Sequence, residues 1–344
     1  MAIPTQTRII DDAFTTTWQK IQPEVADNIL DANVVTAAMR EKGSFKTQIG
    51  GYDVTRTIGY GEKTTKNVKK GDTLGSGETE LTTMARFDLK TITAHIQRSF
   101  QDDRANKGEY QIADLVMRKT KAAKDALDTT VESTFLSLPD ASADLNADEI
   151  KAMRAERDPN SLWNIMPGTT TQGAASNYDG SASYEFGKIG LDNAWWRAKY
   201  NAEAVTDPEV NLLSDMRNLY NTISDNLKTP NLIVTNQAMF QFYEDFALDM
   251  TQIIKDSGNH LADLGYNVLK FKGQDMVWTK GITTNRLMFL DTDSIDVMYD
   301  PDNWFEMTEW KNVQLQLERI AHILLVMQIV CDQPRRNGWL GTYA

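Results

Sequence analysis

The stretch KKGDTLGSGETE, Lys69 to Glu80, decides the fold. As a phosphate cradle it would lead into a helix; as the tip of a ribbon it would join two long strands. A phosphate loop has the form G-x-x-x-x-G-K-[S/T], which lets backbone N–H groups wrap the phosphates and the lysine reach them. Neither GYGEKT (Gly59 to Thr64) nor LGSGET (Leu74 to Thr79) has that spacing. Downstream, Leu81, Ala85, Phe87 and Leu89 alternate with Thr82, Met84, Arg86, Asp88 and Lys90, the period of a half-buried strand. Upstream, Phe45 to Ile58 is rich in Thr, Tyr, Val and Ile around Gly50 and Gly51, which suits an extended, twisted or bulged strand. At Ile92, Ala94 and Ile96 the apolar parity shifts by one, as a bulge near Lys90 to Ile92 would produce. Gly43 to Ile96 therefore reads as a long two-stranded ribbon, its glycines supplying bends and positive φ near the tip.

Outward from the ribbon, QIADLVMRKTKAAKDALDTTVESTFLSL repeats apolar residues at helical spacing with no Gly or Pro from Glu109 to Leu138. A single amphipathic helix of roughly 45 Å is expected, ending at Pro139. Residues 1–40 look like an arm with a helical piece near Val25 to Met39 that needs another surface to lie on. Leu145 to Arg157 suggests a short helix, and Pro159 to Gly190, rich in Gly, Ser, Thr and Asn, a loop. Asp207 and Pro208 open a second helix through Leu227, NLIVT (Asn231 to Thr235) reads as a buried strand, and QAMFQFYEDFA as the helix after it. Short strands are expected at Val268–Phe271, Met276–Thr279, Leu287–Leu290 and Val297–Tyr299, with long strands from Trp304 through Val330. The class is α+β.

Composition bounds function. The 344 residues are 41% hydrophobic and 24% charged, the make-up of a folded globular chain. A net charge of −12 argues against a surface that coats nucleic acid. The one cysteine, Cys331, lies in the apolar run ILLVMQIVC and reads as a buried, inert thiol, so no internal disulfide forms. The N-terminus lacks the pattern of a secretion signal, and the apolar run Ile323 to Cys331 is too short for a membrane span, which gives the expectation of a cytoplasmic setting.

Catalytic patterns do not stand out. A G-x-S-x-G elbow is absent, since Ser76 sits directly between Gly75 and Gly77. His95, His260 and His322 are isolated from one another and read as surface or packing histidines. In DTDSIDVMYDPD (Asp291 to Asp302) the fifth and sixth positions hold Ile295 and Asp296, where a calcium loop needs an oxygen ligand and Gly, so strand-flanking turns are the reading. Asp102 and Asp103 form a carboxylate pair that such an acidic chain produces by chance. Trp195 and Trp196, with Arg197 and Tyr200, read as core or subunit-interface packing. No cofactor, metal or catalytic residue is assigned.

A lone ribbon is marginal in water, and Tyr52, Val54, Ile58, Leu81, Phe87 and Leu89 need cover that the segment itself does not offer. A neighbouring subunit is the expected cover. Lys63, Lys66, Lys69 and Lys70 concentrate positive charge near the tip, whereas Asp102, Asp103 and Glu109 lead into an acidic helix surface; these seven are the candidate inter-subunit contacts.

This order of parts resembles that of tailed-bacteriophage major capsid proteins of the Hong Kong ninety-seven type, across nearly the whole chain. The resemblance is carried by the arm, the ribbon, the uninterrupted helix, NLIVTNQAMFQFY and the ending ERIAHILLVMQIVCDQPRRNGWLGTYA. It implies an N-terminal arm (1–42), an extended loop (43–96), a peripheral domain with a spine helix (97–145) and a β-sheet (304–344), and an axial domain (146–303). It further implies hexamers and pentamers closing into an icosahedral shell around DNA in a virion assembled in the host cytoplasm. The implied partners are a separate scaffolding protein, a portal and a decoration protein, with no membrane. Some members of the family crosslink lysine to asparagine; Lys69 or Lys70 and Asn337 are the right residue types here, with no motif that fixes them. The alternatives are a soluble α+β enzyme with a carboxylate-based site and a cellular nanocompartment shell.

Overall fold

A computed structural model describes residues 33–61, 69, 81–99, 109–136, 158–166, 185–190, 193, 195–201, 208–225, 228–249, 269–282, 285–313 and 318–341. In chain order the elements are α1 (Val34–Glu41), β1 (Phe45–Thr47), β2 (Asp53–Gly59), β3 (Thr82–Asp88), β4 (Lys90–Ser99) and α2 (Glu109–Leu136). A one-turn α3 (Leu162–Ile165), β5 (Glu185–Phe186), β6 (Ile189–Gly190), β7 (Lys199–Asn201), α4 (Pro208–Ile223), β8 (Leu232–Thr235) and α5 (Gln237–Asp249) come next. The chain then runs through β9 (Leu269–Phe271), β10 (Gln274–Trp278), β11 (Leu287–Leu290), β12 (Ile295–Met307), β13 (Lys311–Asn312), β14 (Glu318–Cys331) and β15 (Gly338–Leu340). The expected helix at 145–157, the Asp207 cap and the start of the arm lie outside the described residues.

The five-stranded sheet is built on β14, which pairs with β12 and β13 on one side and β4 on the other; β1 adds parallel to β12. Helix α2 packs on this sheet through Ala123, Leu127, Val131 and Phe135, a stripe repeating every fourth residue as 3.6 residues per turn requires. Its last carbonyl turn is tied down by Trp163, whose Nε1 donates to the Leu136 carbonyl at 3.0 Å. Trp163 sits in α3, with Leu162, Ile165 and Met166 also buried, so part of the segment read as loop is core. Helix α1 differs from expectation too. Asn33 caps it, Oδ1 accepting from the Val35 N–H at 2.8 Å, and Val34 to Met39 are all buried in the chain's own core.

The six-stranded sheet, in the order β7-β15-β11-β8-β10-β9, separates two cores. Successive side chains of a strand point to opposite faces. Accordingly Ile233, Leu287 and Phe289 face α4 and α5 with Leu212, Met216, Met239 and Phe240, whereas Leu232, Val234, Met288 and Leu290 join the core shared with the other sheet. Burying each such side chain stabilises the fold by about 1.5–3 kcal/mol. This is why NLIVT is apolar without alternation: both of its faces are interior. β9 and β10 are joined by Lys272 and Gly273, at φ 51° and 84°, the left-handed pair that a tight hairpin turn demands.

Two short crossings lead directly from one sheet to the other, from β11 to β12 and from β14 to β15, and a buried polar hub holds them together. Asn337, fully buried, accepts from the Asp291 N–H at 2.8 Å and donates to Ser294 Oγ and the Gln333 carbonyl, both at 3.3 Å. Asn231 and Thr292 exchange hydrogen bonds of 2.9 and 3.0 Å, and Ser44 Oγ donates to the Thr292 carbonyl at 3.0 Å. Burial pushes the Asp291 carboxyl above the usual carboxylate range; Asp293 adds to the rise and Arg336, 3.8 Å away, opposes it. Burial likewise pushes the Cys331 thiol up, in keeping with an inert group.

Asn337→Ala removes the acceptor for a buried N–H and is expected to cost about 1–3 kcal/mol, read from the denaturant midpoint. Asp291 supplies a pH test. A carboxyl raised in the folded chain holds its proton where the unfolded chain has released it, so its ionisation lowers stability as pH rises through the folded value. Asp291→Asn removes that titration, so the melting temperature of the variant minus that of the native chain is expected to grow as pH rises above the ordinary carboxylate range.

Candidate assembly site at the root of the ribbon

β2 and β3 pair in antiparallel register from Asp53↔Asp88 to Gly59↔Thr82. Directly opposed residues share a face, so Val54, Arg56, Ile58, Thr83, Ala85 and Phe87 lie on one side, and Thr55, Thr57, Met84 and Arg86 on the other. The first face is covered by the chain itself. The β5–β6 hairpin turns at Gly187 and Lys188, φ 63° and 61°, and seats Phe186 edge-on against Phe87 with ring centroids 5.0 Å apart. The Gly187 carbonyl accepts from the Arg86 N–H at 2.9 Å, and Trp196 Nε1 donates to the Phe186 carbonyl at 3.0 Å. Trp195 stacks on Tyr60 at 4.7 Å. Phe87 and Ala85 are buried under the hairpin, and Val54 and Ile58 are buried with them in the same core.

This corrects the expectation that a neighbouring subunit must cover Val54, Ile58 and Phe87: all three are buried within the chain itself, Phe87 under Phe186 and Gly187. The signal was present in EFGKIG, where a Gly-Lys pair sits between Phe and Ile. Two aromatic residues read as packing, Trp195 and Trp196, are the ones that hold the hairpin to the ribbon. On the other side Met84 is 60% exposed, and in the segment before β2 Tyr52 and Ile49 are 95% and 81% exposed beside the positive-φ glycines Gly50 and Gly51.

A second set of contacts is ionic. Asp296, on β12, accepts from Lys46 Nζ of β1 at 2.8 Å and from Arg56 Nη2 of β2 at 2.6 Å. Its side chain is only 6% exposed, so the charge is compensated where water is scarce. Arg56 Nε also lies 3.6 Å from Asp332; burial raises the Asp332 carboxyl, and Arg56 partly offsets the rise. Gln328 Nε2 donates to the Asp88 carbonyl at 2.7 Å while its Oε1 accepts from the Asn160 N–H at 2.7 Å. Sequence spacing gave no hint of these roles for Asp296, Arg56 and Gln328, since their partners are remote in the chain.

The expected bulge near Lys90 to Ile92 is a change of partner. β3 pairs with β2, and after the single residue Leu89 the chain continues as β4, paired with β14 from Lys90↔Met327 to Ser99↔Glu318. Similarly β1 belongs to the five-stranded sheet, not to the ribbon.

Of the charged residues singled out for contacts between subunits, Lys69 is exposed, Glu109 begins α2, and Lys63, Lys66, Lys70, Asp102 and Asp103 lie outside the described residues. Asn337 is enclosed in the hub described above, out of reach of a lysine from a neighbour while the fold is intact. His95 and His322 are not isolated: they face one another across β4 and β14. His260 lies outside the described residues. A cleft of about 370 Å³ between α2 and β4 has His95 and Lys119 as its titratable groups, and Lys119 Nζ donates to the Gln97 carbonyl at 2.7 Å. Among the described residues, no helix is long and apolar enough to cross a membrane.

No protein-family profile and no curated protein matches the chain. Solved structures do. The capsid of the native GTA particle is 11% identical, with 90% of each chain covered and a TM-score of 0.54. The capsid of Myoviridae phage XM1 is 11% identical over 88% of this chain and 91% of that one, with a TM-score of 0.51. The capsid of the empty GTA particle is 9% identical over 88% and 89%, with a TM-score of 0.50. The chain has the α+β fold of phage capsid proteins of the Hong Kong ninety-seven type.

Gly187→Ala tests the root. An added Cβ would come within 2.7 Å of the Phe87 ring, at a φ of 63° that L-residues disfavour. The variant is expected to lose about 1–3 kcal/mol, with hydrogen exchange accelerated in β2 and β3 more than in β8 and β11.

Proposed function

We propose that the chain is a major capsid protein that assembles as hexamers and pentamers into the icosahedral head shell of a tailed bacteriophage, enclosing double-stranded DNA. The observation that carries the reading is coverage. The likeness to the native GTA capsid spans 90% of both chains, so it concerns the whole arrangement and not one common module. A protein whose work is to pack against copies of itself is structural rather than catalytic.

The ribbon supports the same reading. Its inner face is finished within the chain, while Met84 on the other face and Tyr52 and Ile49 in the segment before β2 are left exposed, where a neighbouring copy would bury them. Lys63, Lys66, Lys69 and Lys70 would meet acidic side chains of that neighbour, including Asp102, Asp103 and Glu109. In the shell, the β2–β3 ribbon serves as extended loop, the five-stranded sheet with α2 as peripheral domain, and the six-stranded sheet with α4 and α5 as axial domain. The net charge of −12 suits a container that holds DNA without gripping it. A separate scaffolding protein and a portal are the partners that assembly in the host cytoplasm would use, with a decoration protein as a further one.

Deletion of residues 63–77 removes the ribbon tip and spares the root. The variant is expected to give a soluble subunit with native circular dichroism that fails to form stable shells by negative-stain microscopy. Shells of normal number and shape would overturn the role given to the ribbon.

A further inference from the structure

We propose that His95 and His322 form a two-imidazole site for a divalent transition-metal ion such as Zn²⁺ or Ni²⁺, clamping β4 to β14. The two residues are registered partners, so their side chains rise from the same face of the sheet. Backbone geometry makes the pair a close one. His322 turns its N–H toward Thr308 Oγ1, at 2.9 Å, and its carbonyl accepts from the Thr308 N–H at 2.8 Å. Both polar groups of His322 thus point away from β4, which makes His95 and His322 a non-hydrogen-bonded pair, the kind whose Cα atoms approach to about 4.5 Å.

Both side chains are exposed, so they can turn without breaking the core, and imidazole nitrogen suits zinc, copper and nickel. The strand positions flanking the pair on that face, Thr93, Gln97, Ile320 and Leu324, carry no charge, and Lys119 of α2, which lines the same cleft as His95, turns its Nζ to the Gln97 carbonyl at 2.7 Å. Gln97 Nε2 is turned to Glu318 Oε2. Among the described residues no third His, Cys, Asp or Glu completes a cluster, so water, or a group from a second copy, fills the remaining coordination positions.

The location gives the ion a mechanical role. β4 continues directly from ribbon strand β3, and among the described residues its ladder partner is β14 alone. An ion chelated across the two strands binds the folded chain and not the unfolded one, so it stabilises the strand that carries the ribbon.

The test is calorimetric titration of the purified full-length chain with Ni²⁺ and, separately, Zn²⁺, compared with His95→Ala, His322→Ala and His260→Ala. One binding event should weaken at least about 10-fold in either of the first two variants and persist in the third, since a single imidazole loses the chelate. The native chain should also melt at a higher temperature with the metal than without it. Independently of any substitution, Ni²⁺ should broaden the imidazole resonances of His95 and His322 together at substoichiometric amounts. Titrations unchanged in His95→Ala and His322→Ala, or broadening confined to one of the two resonances, would overturn the site.

Discussion

The structure depends on a buried polar junction where the chain twice leaves one sheet for the other. Two β-sheets that share a core can slide or splay, because apolar contacts are non-directional. Hydrogen bonds are directional, and here the Asn337 carboxamide reaches Asp291, Ser294 and Gln333 from the middle of both crossings. Such a group is costly to bury half-satisfied, so the arrangement tolerates few alternatives. The relative position of the five-stranded and six-stranded sheets follows from it. So does the placement of β12, whose first residues leave the hub and carry Asp296 to the foot of the ribbon.

The ribbon is thus fastened by three unlike means: an ionic tie at Asp296, an aromatic wedge at Phe186 and Phe87, and a carboxamide bridge through Gln328. Each comes from a different part of the chain. A ribbon attached by its two strands alone would fray in water. With its root enclosed, the same ribbon can leave Met84 exposed beside Tyr52 and Ile49 of the preceding segment, and the proposed assembly role uses that division between a face spent inside the chain and residues left for another.

Local order was legible in the sequence and partnership was not. Helix α2 follows from an uninterrupted periodic run, and β8 from an apolar stretch flanked by Asn. The parity shift after Leu89 was visible but ambiguous: a bulge and a change of ladder partner leave the same trace. Residues 159–190 read as loop because Gly, Ser, Thr and Asn dominate, yet Trp163 and Phe186 within them are buried. Asp296 looked like one carboxylate of an acidic turn until Lys46 and Arg56 arrived from remote strands. His95 and His322 became neighbours only through the register of β4 on β14. In every such case the missing information was tertiary, carried by residues far apart in the chain.

The single residue between β3 and β4 has a consequence for force. Tension applied at the ribbon passes through Leu89 into β4 along the strand axis, parallel to the β4–β14 interface. The ladder from Lys90↔Met327 to Ser99↔Glu318 is then loaded in shear, where its hydrogen bonds share the pull and must give way together. The seven pairs of the β2–β3 ribbon, loaded across the strands, would instead give way one after another. The chain therefore joins a short ladder of seven pairs to a longer one of ten through a single residue, and a pull along β4 is shared by all ten at once.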